Sequence, residues 1–416
     1  MLAWRMFLTD HERRIAEGAD GAAAAMAMRL VAETGRLLGA GRLLPIASAH
    51  VDGCLYHGDS GTYFAERLVA DGGRVVVPTT LNVGALDLLH PGRVKGDAHH
   101  REMSLRMMRS YETLGCRATW TCAPYQAGHR PAAGTDVAWG ESNAVAFCNS
   151  VLGARTNRYG DFLDIACALV GRAPDYGLHR RENRRATVVV DASALSPALR
   201  DADVFYPVLG TWLGAEIGSE IAAITGLSPG QSEDRLKALG AAAASAGAVG
   251  LFHVVGSTPE APTIEAATQG GSVRTVRLTG EMVRAARDRL STAGDGAVDC
   301  IALGSPHFSE AEFAELRRLA AGRRFRVPIY VCTRRDLVEK NDLSDLEAAG
   351  AVIVADTCVV VTPILPPGGG VLMTNSGKFA HYGPANLGYD VVYGSLEDCV
   401  ASAVSGRVRR EERVWQ

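Results

Sequence analysis

The 416-residue chain has none of the short motifs that announce common cofactor chemistry. There is no GxxxxGKS/T phosphate loop, no GxGxxG after a strand, no HExxH and no close His/Cys pairs of the zinc kind, so nucleotide binding and zinc hydrolysis lack direct support. An excess of one charge is missing too. Lys+Arg 43 against Asp+Glu 46 leaves a net −3, which argues against nucleic acid as a partner. The arginines at 180, 181, 184 and 185, with others at 407–410, read as solvated surface. No apolar run reaches the ~18 residues that cross a bilayer, and the alanines at 22–25 follow acidic residues rather than a basic leader. The expectation is a soluble, cytoplasmic protein without a membrane partner. Nine cysteines form an odd set without a CxxC pair. Structural disulfides are therefore not expected, and in a reducing compartment most of these thiols serve as small buried residues, the exceptions being metal ligands or nucleophiles.

What the chain does have is a globular balance, 47% hydrophobic against 21% charged, and β-branched runs that alternate with helical patterns. Thr9-Asp10 with Glu12 supplies a helix start, and apolar residues recur through Leu37 before Gly39. The segments 74–77, 187–191, 204–209 and 248–255 read as strands, with a helix over 232–246. In the last third, strands are predicted at 297–303, 328–333, 351–355, 370–374 and 391–393. Buried runs of this kind imply parallel sheets covered by helices on both faces, an α/β class. The length predicts two or three domains. The divisions read here are 1–190, an α/β region carrying site loops, 191–290, a middle α/β region, and 291–416, a C-terminal α/β region.

Polar residues collect where strands end, the place at which open parallel sheets bind ligands. They are His50 and Asp52; Thr79, Thr80 and Asn82; Thr121 and Cys122; Glu141, Ser142 and Asn143; Asn149 and Arg155 to Arg158; Ser305 and His307; Asp356 and Cys358; and Asn375, Ser376 and Lys378. Taken singly, a Ser or Asn after a strand reads as a helix cap, His50 as a satisfied core histidine, and Cys122 or Cys358 as a buried thiol. Longer strings carry more. Ser48-Ala49-His50-Val51, Val77-Pro78-Thr79-Thr80-Leu81-Asn82, Thr121-Cys122-Ala123-Pro124-Tyr125 and Trp139-Gly140-Glu141-Ser142-Asn143 follow one another in the first half. Gly304-Ser305-Pro306-His307, Asp356-Thr357-Cys358 and Thr374-Asn375-Ser376-Gly377-Lys378 follow in the second. In this order the strings resemble the catalytic large subunit of the aconitase X family, a branch of the aconitase superfamily.

The resemblance implies a multi-domain aconitase-like fold lacking the small swivelling domain, and a hydro-lyase that uses an iron–sulfur cluster. It implies dehydration of cis-3-hydroxy-L-proline or, alternatively, of mevalonate 5-phosphate, for which Arg155, Arg158 and Lys378 could form a phosphate clamp. Cys122 and Cys358 match cluster-ligand positions. Ser305 stands where relatives with three cysteine ligands have cysteine, which favours the hydroxyproline-type branch and a 2Fe–2S cluster over a 3Fe–4S or 4Fe–4S one. Cys116, Cys148 and Cys332 are spare ligand candidates. Ser376, Lys378 and Glu141 are the implied catalytic residues, and His50, Thr80, Asn82, Asn143, Arg155, Asn375 and His307 the implied substrate-binding ones. The expected partner is a small swivelling-domain subunit in trans. An expectation from another class is a non-catalytic binding or scaffold subunit that keeps the fold without cluster chemistry.

Overall fold

The computed structural model describes residues 6–416, so the first five residues of the expected 1–190 region lie outside the described residues. The chain divides into two compact units, one running up to Leu86 with Gly96–Arg184, the other comprising Asp87–Lys95 with Arg185–Gln416.

The first unit opens with Asp10–Ala16, a helix fixed by the capping box between Thr9 and Glu12 that the sequence suggests. The apolar periodicity then resumes in a separate helix, Ala22–Leu37. The centre is a parallel three-stranded sheet in the order Thr79–Leu81, Ala49–Val51, Ala138–Trp139. Every residue of these short strands is buried. A separate pair, Leu43–Pro45 with Arg172–Pro174, is the antiparallel exception. The β-branched run at 74–77 is not a strand. Instead the Val75 and Val76 amides donate to the carbonyls of Leu114 and Ala168, meeting the chain at the ends of two helices, and Val76 is 64% exposed.

The second unit holds two parallel sheets. Four strands run in the order His253–Val254, Ala222–Thr225, Val188–Asp191, Arg274–Arg277. Five run in the order Ala351–Ala355, Ile329–Thr333, Cys300–Phe308, Val371–Thr374, Asp390–Tyr393. The five-stranded sheet is closed by helices on both faces, as an all-parallel sheet requires. Its core joins Ile301, Val331, Ile353 and Val392 to helical Phe313, Leu316, Leu346 and Val400. Two readings are corrected here. Residues 204–209 begin the helix Phe205–Ile217, with Pro207 tolerated in its first turn. Most of that helix is buried, so no amphipathic stripe marks it. Of 248–255 only His253–Val254 pairs as a strand. No described helix is long and apolar enough to cross a membrane. The arginine cluster also departs from a solvated surface, because Arg184 is buried, bonding the Asn149 side chain at 2.9 Å and the carbonyls of Leu178, Asn149 and Ala154 at 3.0–3.1 Å.

Candidate active site

In the first unit the parallel register sets His50 opposite both Thr80 and Trp139, which brings three of the sequence strings side by side at the carboxyl ends of their strands. His50 Nδ1 lies 2.9 Å from Thr80 Oγ1, and the Asn82 amide donates to the Asp52 carboxylate. The Asn143 amide donates to the Cys122 carbonyl at 2.8 Å, so the start of the helix Ser142–Ser150 holds the Thr-Cys-Ala-Pro turn. Glu141 caps that helix, accepting from the Ala144 amide at 2.6 Å and the Ser142 hydroxyl at 3.1 Å. Arg155 stands apart, its backbone bridging to Asp136. Buried polar atoms are unusually often left without a protein partner in this cluster: His50 Nε2, Asn82 Oδ1 and Asn143 Oδ1, with Arg155 Nε beside the neighbouring segment. Buried polar atoms are normally hydrogen-bonded, so such a concentration marks a place prepared for a ligand or water.

Sequence reasoning passed over two residues in this unit. His129 sits between Thr80 Oγ1, 2.7 Å from its Nδ1, and Ser48 Oγ, 2.8 Å from its Nε2. Burial lowers the His50 imidazole to about 3 and His129 to about 4, so both are neutral near pH 7. The Trp139 ring packs against both, its centroid 5.6 Å from His50 and 5.0 Å from His129. Asp164 is the second. Wholly buried, it receives the Asp52, Gly53 and Ile165 amides at 2.6, 3.2 and 2.7 Å and so fixes the turn after His50, while burial drives its carboxyl up to about 8. A histidine in a polar string and an aspartate inside the apolar helix Leu163–Val170 offered no pattern to single them out.

In the second unit Ser305 and His307 lie in the strand Cys300–Phe308, Asn375, Ser376 and Lys378 follow its neighbour Val371–Thr374, and Cys358 follows Ala351–Ala355, one strand further across the sheet. The strand Cys300–Phe308 slips register between Leu303 and Phe308, and the Ser305–Pro306 bond within the slip is cis. Gly304 makes the slip possible: it has φ +86°, and a Cβ there would lie 2.0 Å from the Cys332 carbonyl oxygen. Ser376 caps the helix Gly377–Leu387 by accepting from the Phe379 amide at 3.0 Å, and its hydroxyl donates to the Ser305 carbonyl. A hydrogen bond with Cys332 lowers the Cys358 thiol against the pull of burial, assisted by the Val360 amide, the Lys378 charge and Ser305. Cys332, buried in turn, also accepts from the Val359 amide at 3.4 Å. His307 Nε2 reaches the Thr357 carbonyl at 3.2 Å, and burial lowers this imidazole to about 4. Asp356 holds the turn before Cys358 at φ +63°, paired to Arg335 at 2.9 and 2.5 Å. A small cleft of about 40 Å³ opens beside these residues, lined by Ser305, Asn375, Ser376, Gly377 and Lys237. Lys237 was not foreseen, since its Leu236 and Leu239 neighbours make its helix position read as core. It is buried, 2.8 Å from Asp234 and also paired to Glu312.

Three family models cover this chain in succession: the aconitase X first domain over residues 5–182, the second over 186–288 and the third over 298–405. The chain belongs to the aconitase X family. Among curated aconitase X relatives, the cis-3-hydroxy-L-proline dehydratase of Pseudomonas aeruginosa is 43% identical over 410 residues, 96% of this chain and 70% of that protein. The enzyme of the same name from Hypocrea jecorina is 40% identical over 96% of this chain and 69% of its own length. The phosphomevalonate dehydratase large subunit of Methanothermobacter thermautotrophicus is 38% identical over 94% of this chain and 96% of its own. The crystal structure of holo-form aconitase X from Thermococcus kodakaraensis superposes with a TM-score of 0.85 at 35% identity, covering 96% of this chain and all of that one. The α/β architecture with parallel sheets thus agrees with a solved aconitase X.

Proposed function

We propose that this chain is the catalytic component of a hydro-lyase that removes water from cis-3-hydroxy-L-proline. The observation that carries this reading is the 43% and 40% identity, over 96% of the chain, to two proteins of that name. Ser305, in place of a third cysteine, points the same way.

An iron–sulfur cluster suits the donor chemistry of the second unit, where Cys358 is the thiol held toward its thiolate form. Burial pushes the Cys116 and Cys148 thiols well above the ordinary thiol range. Among the described residues no group of three or more His, Cys, Asp or Glu is gathered as a metal site. Within the second unit Cys358 is the residue we assign to the cluster, with Cys332 the better-placed spare because it bonds Cys358, and 2Fe–2S the favoured type; Cys122 keeps the ligand role that the family resemblance implies for it. When bound, the cluster supplies a Lewis-acidic iron that accepts the leaving hydroxyl.

The rest of the work falls to the chain. The amino end of the helix Gly377–Leu387, with Lys378 in its first turn, favours a carboxylate. Asn375 lines the same cleft. Ser376 ties that helix start to Ser305, so a substrate anion bound there is positioned against the serine.

A second reading, mevalonate 5-phosphate dehydration, is favoured by one observation: the large-subunit relatives of that name match this chain over 96–100% of their own lengths. In both readings a small subunit acts in trans. Anaerobic co-expression with candidate small subunits, iron and sulfide analysis, and parallel assays of the two substrates test the proposal. Turnover of cis-3-hydroxy-L-proline by an iron-containing complex is expected. Turnover of mevalonate 5-phosphate alone would transfer the chain to the second reading, and a protein that accepts no cluster would make it a scaffold.

A further inference from the structure

The stretch Asp87–Lys95 belongs to the second unit although the chain on either side of it belongs to the first. It lies against the loop that follows the strand Ala351–Ala355, and it grips the chain on both sides of Cys358. Before the cysteine, two fully buried aspartates exchange bonds. The Asp87 carboxylate accepts from the Ala355 amide at 3.4 Å, and the Asp356 carboxylate accepts from the Leu88 amide at 3.3 Å. Beyond the cysteine, the Lys95 amide donates to the Pro363 carbonyl at 2.7 Å. The Arg93 guanidinium adds a bond to the Ile353 carbonyl.

The stretch is itself held in shape. Asp87 Oδ1 accepts from the His90 amide at 2.8 Å, and Pro91–Arg93 forms a 3-10 turn whose proline fixes its first residue. The loop has greater need of support. Asp356 sits at φ +63°, a left-handed conformation that costs a non-glycine residue roughly 1 kcal/mol. Its carboxylate is paired to Arg335, and Arg93 stands 3.8 Å from Asp87, so each buried anion has a cation beside it. Well-packed apolar residues often serve stability as well as such buried pairs do. What charged groups with matched donors add is a single conformation of the backbone, and the side chain presented by this backbone is Cys358.

We propose that Asp87–Lys95 is a strap that sets the Cys358 thiol for its ligand role, with Asp87 as the positioning residue. This rests on the reading of Cys358 as a cluster ligand and states how that thiol is held. Asp87 does two things through separate oxygens: Oδ1 caps its own stretch at His90, and Oδ2 reaches across to Ala355. Asp87→Asn keeps the size of the side chain but turns one acceptor oxygen into an NH2 donor, so the two amides can no longer both be satisfied.

The test has an iron-free arm and a loaded arm. In the full chain without iron, amide hydrogen exchange and alkylation by iodoacetamide, both read by mass spectrometry, report on the loop. Asp87→Asn should speed exchange across 353–363 and alkylation of Cys358 by about 10-fold each, with exchange in the strand Ile329–Thr333 unchanged. Asp299→Asn is the control: the Asp299 carboxylate accepts the Val371 amide at 2.7 Å at the opposite end of the same sheet, and this variant should leave both rates at the wild-type value. In the anaerobically loaded complex, Asp87→Asn should release iron to a chelator about 10-fold faster or more, the range in which residues supporting a metal ligand act, and should shift the visible circular dichroism. Arg93→Gln, which frees the Ile353 carbonyl and leaves both aspartates in place, should change every readout less but in the same direction, and it decides the matter if Asp87→Asn does not fold. Wild-type exchange and alkylation rates in both strap variants would overturn the strap, as would an equal acceleration in Asp299→Asn. Faster rates with unaltered iron release and spectrum would overturn its role toward the ligand. If the wild-type complex accepts no iron, the cluster reading fails and the iron-free arm alone decides whether the strap holds Cys358.

Discussion

A buried histidine held neutral is a local statement with a pH-dependent consequence. Burial lowers His50 to about 3 and His129 to about 4 from an ordinary 6.5, with the Arg117 charge adding to the effect at His129 and Glu141 opposing it at His50. In the unfolded chain both bind protons below about pH 6.5, whereas in the fold they resist until the lower values. Their contribution is therefore complete above pH 6.5 and is lost as pH falls toward 4 and 3, by up to about 1.4 kcal/mol per pH unit for each ring. Urea midpoints at pH 7, 6 and 5 should fall steadily, and His129→Gln should flatten that decline. A decline equally steep in the variant would show that His129 does not titrate this way. Asp164 supplies a second residue-scale case. Its carboxyl takes three backbone amides, so Asp164→Ala strands buried donors and should cost about 3 kcal/mol or more, read as a lowered urea midpoint.

At the scale of elements, the second-unit cleft depends on a strand interrupted where it approaches its neighbour. Gly304 combines φ +86° with a would-be Cβ only 2.0 Å from the Cys332 carbonyl, which is backbone and cannot yield cheaply. Gly304→Ala should thus destabilise the protein by at least about 2 kcal/mol and displace Ser305 and His307. Ser376→Ala, which removes a cap, should cost about 1 kcal/mol. Calorimetry of the two variants checks the order; equal small losses would mean that the register slip tolerates a side chain. The same elements explain what could be read in advance. Strands at 329–333, 351–355 and 371–374 were legible because each is a short buried β-branched run. The run at 204–209 carries similar residues yet lies in a helix buried almost all round, where periodicity is silent. Ser376 and Asn143 could be named from their strings. Lys237, Asp164 and His129 could not, because each gains deciding partners through contacts 75, 112 and 49 residues away in sequence.

For the whole molecule, the comparisons differ in length before they differ in chemistry. The chain accounts for 96–100% of the large-subunit relatives but 69–70% of the two hydroxyproline dehydratases, whose single chains are longer. Elimination benefits from a site closed to water, where a developing carbanion and a leaving hydroxide meet fixed dipoles instead of solvent. A second polypeptide that closes the site should therefore raise kcat rather than merely tighten substrate binding. Titrating the cluster-loaded chain with a co-expressed small subunit should give turnover that saturates at one partner per chain, together with a matching shift in sedimentation. Full turnover by this 416-residue chain alone, unchanged when the partner is added, would remove the need for a subunit in trans and place all the catalytic groups within the sequence at hand.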